Sequence, residues 1–195
     1  MTPVSRIHGR AYPLGLKNVD TDMIIAAEHL KTISRIGLGR FAFAALRKSG
    51  GSAFDDPACV GAPILLAGDN FGCGSSREHA VWALQDMGVE AVIATGFSDI
   101  FSSNAFKNGM VAVELDQAAI DRLLEAARHG PITIDLEEMT VSALNSICFH
   151  FEMDPFRRQC LLQGHDEVAL SLLNEPAIRA YELRSGSLAP VPLAS

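Results

Sequence analysis

Gly68-Asp69-Asn70-Phe71-Gly72-Cys73-Gly74-Ser75-Ser76-Arg77-Glu78-His79 is the stretch on which the fold turns. Gly68, Gly72 and Gly74 let a backbone turn tightly and approach a neighbour or a ligand closely. Just upstream, Ile64-Leu65-Leu66 is a short apolar run that reads as a buried strand. Downstream, Ala80, Val81, Leu84 and Met87 fall on one helical face, and Gly88 follows as a favoured stop. Ser75 and Glu78 have the spacing of an S-x-x-E capping box, which predicts a helix capped by Ser75. Ser75, Ser76 and Arg77 would then sit at a helix N-terminus, where free N–H groups and the dipole attract anions.

The same strand–helix rhythm continues outward. Residues 90–94 read as a second buried strand, 98–107 as a helix stopped by Asn108-Gly109, and 110–115 as a third strand. Asp116 caps a further helix with Ile120, Leu123, Leu124 and Ala127 on one face, ended by Gly130-Pro131. This alternation predicts a parallel sheet with crossover helices. Residues 132–136, 140–144 and 147–151 then read as three closely spaced strands. The first alternates Ile, Thr, Ile, Asp, Leu, as a half-buried antiparallel strand would. Asp154-Pro155 starts a helix with Pro at its first position, Gly164 ends it, and a second helical segment runs over 166–181.

Upstream of the glycine turn the pattern is less regular. Residues 6–14 read as one strand, 16–22 as a polar turn, 31–40 as a mobile loop and 41–46 as helix. Residues 23–30 fit helix and strand equally, and Gly50-Gly51-Ser52 and Asp55-Asp56-Pro57 mark another loop. The chain is expected to form a single three-layer α/β domain over 1–183. Its helical C-terminal segment starts near 154, and a flexible tail spans 184–195.

Composition narrows the function classes. Hydrophobic residues make up 48% and charged residues 20%, the balance of an ordinary globular protein. A net charge of −7 argues against a nucleic-acid surface, which is usually basic. No apolar run approaches the ~20 residues that span a bilayer, and no apolar signal region follows Met1, so a cytosolic protein is expected. Cys59, Cys73, Cys148 and Cys160 are too far apart in sequence for a zinc or iron–sulfur ligand set and read as free thiols. Only Cys73, between two glycines, lies near expected chemistry.

The glycine turn departs from three known loops. A Walker-A loop needs Lys after its last glycine, and here Ser follows. A Rossmann turn needs a third glycine near Arg77. A nucleophile elbow needs G-x-S-x-G, which Gly74-Ser75-Ser76 does not supply. The pattern alone fits equally a plain strand-to-helix turn and an anion-binding one.

Longer motifs decide between them. Asp69-Asn70-Phe71-Gly72-Cys73-Gly74-Ser75-Ser76-Arg77-Glu78-His79-Ala80 resembles the signature of the aconitase superfamily, in the form found in the small subunits of bacterial isopropylmalate dehydratases. Asn18-Val19-Asp20-Thr21-Asp22-Met23-Ile24 matches that family's N-x-D-T-D-x-I segment. Thr95-Gly96-Phe97-Ser98-Asp99-Ile100-Phe101 and Asn104-Ala105-Phe106-Lys107-Asn108-Gly109 resemble its next strand–helix unit. Asp154-Pro155-Phe156 and Tyr181-Glu182 look like its C-terminal landmarks, so the likeness covers nearly the whole chain.

The resemblance implies a β/β/α swivelling domain. It also implies a hydro-lyase that isomerises 2-isopropylmalate to 3-isopropylmalate by dehydration and rehydration, a step of leucine biosynthesis. Ser75 matches the serine that takes a proton from carbon. Ser76 and Arg77 match carboxylate-binding residues, and Asp22 a polar active-site position. In the family the loop after Leu30 helps select the side group. Leu30 and Ile33 would line an isopropyl pocket, Lys31 or Arg35 would meet a carboxylate, and Thr32 would bind substrate on the same segment. The chain itself would bind no cofactor. A large subunit would carry a [4Fe–4S] cluster that acts as Lewis acid. Related substrates (2-methylmalate/citraconate or homoaconitate) and a non-catalytic anion-binding module stay open, because one methylene is worth only ~1–3 kcal/mol in an apolar pocket.

A serine base is demanding. Each pKa unit of lowering costs about 1.4 kcal/mol. One oxyanion donor supplies roughly 2.7–4 kcal/mol in a dry site, and a helix terminus up to ~2 kcal/mol. Ser75 is therefore expected to be activated only in a closed site shared with a partner.

Overall fold

The computed structural model describes residues 1–31, 34–50, 53–54, 56–75, 77–144 and 146–185. Two four-stranded sheets organise them. Strands β2 (Ala11–Pro13), β3 (Ile64–Leu66), β4 (Ala91–Ala94) and β5 (Val111–Glu114) form a parallel sheet in that order. Strands β1 (Arg6–Gly9), β6 (Ile132–Asp135), β7 (Thr140–Ala143) and β8 (Ile147–His150) form an antiparallel sheet in that order.

The strand alternation sorts side chains into two cores. Ile64, Leu66, Ala91, Ile93, Val111 and Val113 point to one face of the parallel sheet, and Leu65, Val92 and Ala94 to the other. The first face packs against Ile7, Ile132, Ile134 and Val141 of the antiparallel sheet and against Ile120, Leu123 and Ala127 of α5 (Gln117–His129). The second face is covered by α3 (Glu78–Asp86), α4 (Asp99–Lys107), and residues of the short helices α1 (Thr21–Ile24) and α2 (Ala44–Ser49) with their flanks. The result is the three-layer β/β/α arrangement expected. Each fully buried Leu or Ile contributes about 1.5–3 kcal/mol.

Capping explains most helix starts. Asp20, Ser98, Asp116 and Asp154 each accept a backbone N–H in the first turn of α1, α4, α5 and α6 (Pro155–Gln163). No described helix is long and apolar enough to cross a membrane.

Several local expectations change. Residues 6–14 form two strands, not one, because the chain leaves the antiparallel sheet at Gly9 and enters the parallel sheet at Ala11. A Cβ on Gly9 would fall 2.7 Å from Pro63, so the crossing needs glycine there. Residues 23–30 are neither one helix nor a strand: α1 ends at Ile24 and a 3-10 turn covers Ala27–His29. The helix expected over 41–46 is the 3-10 turn Gly39–Phe41 followed by α2. The segment 166–181 is two helices, α7 (Glu167–Leu173) and α8 (Glu175–Ser185), parted at Asn174.

Candidate functional site

The site is built where chain segments leave the C-terminal ends of β2, β3 and β4, the usual ligand edge of a parallel sheet. The turn after β3 is sewn to the segment after β2 along its length. Gly68 N–H donates to Leu16 O at 2.8 Å, Asn18 N–H to Asp69 O at 2.8 Å, Gly72 N–H to Val19 O at 2.8 Å and Thr21 N–H to Cys73 O at 3.2 Å. Asn70 Nδ2 donates to Asn18 Oδ1 at 2.9 Å. The loop after β4 holds the other side. Phe71 N–H donates to Gly96 O, Ser98 N–H to Phe71 O, and Ser98 Oγ to Gly72 O at 2.6 Å.

This stitching requires glycine at two points. Gly72 and Gly74 have φ of +75° and +83°. A Cβ on Gly72 would overlap the Phe101 ring, which is wholly buried and packs edge-on against Phe71 at 5.1 Å.

The turn delivers Ser75 to an exposed position, with its carbonyl accepting Thr21 Oγ1 at 3.3 Å. Thr21 itself is buried. Among the described residues the Ser75 hydroxyl makes no hydrogen bond. The expected capping box is absent. Helix α3 starts at Glu78, its N-cap is Arg77 in extended conformation, and no side chain caps it. Glu78 turns away to accept Asn108 Nδ2 at 2.9 Å. Ser75 therefore lies a few residues before the helix rather than at its cap, because positive φ at Gly74 and the Thr21 contact keep the chain extended. Arg77 and Asp22 are also exposed, and Asp22 belongs to the first turn of α1, whose N-cap Asp20 is bridged to Cys73.

Arg35, Gly37 and Gly39 lie against α3. Leu30 is half-buried against the core, and Lys31 is exposed beside Glu28, His29 and Arg40 in a pocket of about 310 Å³. Arg35 sits 4.8 Å over the Trp82 ring and 3.9 Å from Glu78 Oε1. Trp82 is not a plain core residue. It is half-buried, and its Nε1 donates to Asn108 Oδ1 at 3.1 Å. Past Arg35 the expected mobile loop is anchored, since Asp86 accepts two of its backbone N–H groups. The site expectations for Ser76, Thr32 and Ile33 lie outside the described residues.

Thr21, Ser98 and Asn108 carry the site's internal bonds and were not singled out from sequence. Each had an available signal in its motif: Thr21 in N-x-D-T-D-x-I, and Ser98 and Asn108 in the next strand–helix unit.

The two buried thiols, Cys59 and Cys160, are not poised nucleophiles. Burial, reinforced by Asp56, pushes the Cys59 thiol up, and burial, reinforced by Asp154, does the same to Cys160. Among the described residues no group of three or more His, Cys, Asp or Glu side chains could hold a metal ion. The arrangement offers an exposed hydroxyl and a guanidinium two residues apart, just before α3.

Comparison with known proteins agrees with this architecture. The family model for the aconitase C-terminal domain matches residues 1–118. A 3-isopropylmalate dehydratase small subunit from Zymomonas mobilis is 57% identical over 182 residues, covering 93% of this chain and 95% of that one. Its counterpart from Novosphingobium aromaticivorans is 60% identical over 184 residues, covering 94% and 91%. A crystal structure of 3-isopropylmalate dehydratase from Methanocaldococcus jannaschii superposes with a TM-score of 0.69 at 27% identity, covering 91% of this chain and 99% of that one. This chain belongs to the aconitase C-terminal domain family, among its 3-isopropylmalate dehydratase small subunits.

Proposed function

We propose that the chain is the small subunit of a cytosolic isopropylmalate isomerase that interconverts 2- and 3-isopropylmalate through isopropylmaleate. The observation that carries this is identity of 57–60% with small subunits so named, over nine tenths of both chains. The turn supports it, because Ser75 and Arg77 are both exposed just before α3, suited to a proton acceptor and a carboxylate clamp.

In this reading Ser75 Oγ takes the proton from the carbon next to the one bearing the hydroxyl. The C–O bond breaks as the C–H electron pair forms the C=C bond, Ser75 keeps the carbon-derived proton, and the hydroxyl leaves as water with a proton from solvent. Water returns with the opposite regiochemistry, Ser75 giving the proton back. Ser76 and Arg77 bind a carboxylate, Asp22 sits at the polar rim, and Leu30, Lys31, Thr32, Ile33 and Arg35 face the side group and its neighbouring carboxylate. A [4Fe–4S] cluster on the large subunit would supply Lewis acidity for the departing hydroxyl.

Ser75 stands in solvent in the isolated chain, outside the closed, donor-lined environment that would stabilise its alkoxide. A covering partner supplies that environment, so the chain is active only in the two-subunit enzyme.

The test is reconstitution with the cluster-bearing subunit, assayed on 2-isopropylmalate and 2-methylmalate. Turnover requires both chains and favours isopropylmalate, and Ser75→Ala lowers kcat by roughly 10²–10⁴ with assembly retained. Turnover by this chain alone, or a Ser75→Ala enzyme with unchanged kcat, overturns the reading. Preference for methylmalate keeps the chemistry and replaces the substrate.

A further inference from the structure

Asp86 ends helix α3 where a carboxylate is electrostatically misplaced. The carbonyl end of a helix repels negative charge, and the last turn of α3 holds no basic residue to offset it. The carboxylate is occupied elsewhere. Its Oδ2 accepts the N–H of Gly37 at 2.9 Å and of Gly39 at 2.7 Å, both charge-assisted bonds. The backbones meet at the same place, for a Cβ on Gly39 would fall 2.7 Å from the Asp86 carbonyl carbon and from Met87 N. Toward the other end of the helix, Arg35 lies over Trp82 and near Glu78.

These contacts make α3 a splint. Its N-terminal end leads directly from Ser75 and Arg77, and its C-terminal end grips the chain beyond Arg35. Leu30 anchors the opposite flank against the core. Arg35, Gly37 and Gly39 are thus held to α3, the two glycines by a single carboxylate on the helix that follows the serine turn.

We propose that Asp86 is a positioning residue for substrate selection. By holding Gly37 and Gly39, it fixes the adjoining Arg35 relative to Ser75 and Arg77. Loss of the tie lets the side-group contacts drift while Ser75 stays in place on its own hydrogen bonds. The inference rests on the reading that residues 30–35 face the substrate.

The experiment uses the reconstituted two-subunit enzyme, with kcat and KM measured on 2-isopropylmalate and 2-methylmalate. Asp86→Ala should raise KM for isopropylmalate roughly tenfold, the scale of losing exposed charge-assisted bonds. It should leave kcat within about twofold and narrow the preference between the two substrates. Asp86→Asn keeps one oxygen able to accept both N–H groups, and should restore most of the preference. Gly39→Ala, a lesion on the loop side of the same contact, should shift KM in the same direction as Asp86→Ala. Wild-type turnover with Asp86→Ala leaving KM and preference unmoved overturns this proposal alone. So does an equal loss on both substrates, which is the mark of a merely structural residue. A wild-type enzyme idle on both substrates overturns the proposal together with the functional reading beneath it.

Discussion

The Thr21 hydroxyl donates to the carbonyl of Ser75 at 3.3 Å, joining α1 to the glycine turn across 54 positions of sequence. Thr21 N–H reaches Cys73 O two residues earlier, so one buried residue holds two successive points of the turn. Thr21→Val keeps the shape and removes the hydroxyl. The lost bond should cost about 0.5–1.5 kcal/mol of stability. The larger effect should fall on kcat of the reconstituted enzyme, because Ser75 loses its support, and Thr21→Ser should recover it. Equal kcat for Thr21→Val and wild type would show that the turn holds Ser75 without this bond.

Gly72 combines two demands that no side chain meets. Its φ of +75° disfavours any Cβ, and that Cβ would overlap Phe101. Left-handed backbone costs roughly 1–2 kcal/mol, and overpacking against a fully buried ring typically 1–3 kcal/mol. Gly72→Ala should therefore lower the unfolding free energy by about 2–5 kcal/mol in urea titration. Gly37→Ala makes a useful contrast. Its φ is +87° but nothing lies within 4 Å of the added carbon, so only the backbone penalty remains. Equal losses for the two variants would remove the packing part of the argument.

How far the sequence reveals all this depends on how local each cause is. The unit from Ile64 to Glu114 reads correctly because its apolar runs, the Ser98 cap and the Asn108-Gly109 stop act within a few residues. The antiparallel strands read correctly for the same reason. The start of α3 does not. Ser75 and Glu78 satisfy the capping-box spacing, yet the distant Thr21 fixes the Ser75 carbonyl and delays the helix to Glu78. Strand periodicity likewise gives faces but not sheet membership, so the jump from one sheet to the other at Gly9 is invisible until Pro63 is packed against it. Ser75, Arg77 and Asp22 were legible through a long motif. Asp86 was not, because its partners Gly37 and Gly39 lie 49 and 47 positions away.

The helices differ sharply in what they hold together. Leu123 of α5 is fully buried between the two sheets, whereas Leu183 of α8 is 73% exposed and no residue of α8 is buried. Leu123→Ala should cost about 2–5 kcal/mol through lost burial and cavity. Leu183→Ala should stay within about 0.5 kcal/mol of wild type. Urea midpoints of the isolated chain measure both. A Leu183→Ala loss rivalling that of Leu123→Ala would mean that α8 packs on the core in solution.

Asp135 ties β6 to β1 and sets an acid limit on stability. Its Oδ1 accepts the N–H groups of Glu137 and Glu138 at 2.9 and 3.0 Å, and its Oδ2 accepts Arg6 Nη2 at 2.7 Å. The backbone bond from Glu138 first, and the Arg6 guanidinium next, hold its carboxyl below the usual carboxylate value. The unfolded chain therefore takes up this proton more readily than the folded one, and acid favours unfolding. The contribution is fully present above the ordinary value of about 3.9 and disappears as pH falls through the lower folded value. Asp135→Asn removes the titrating group and weakens the Arg6 pairing. It should be less stable than wild type at neutral pH, and the gap between them should close as the pH drops below about 4. Urea midpoints at a series of acidic pH values read this directly, and parallel curves for the two proteins would remove Asp135 from the account of acid unfolding.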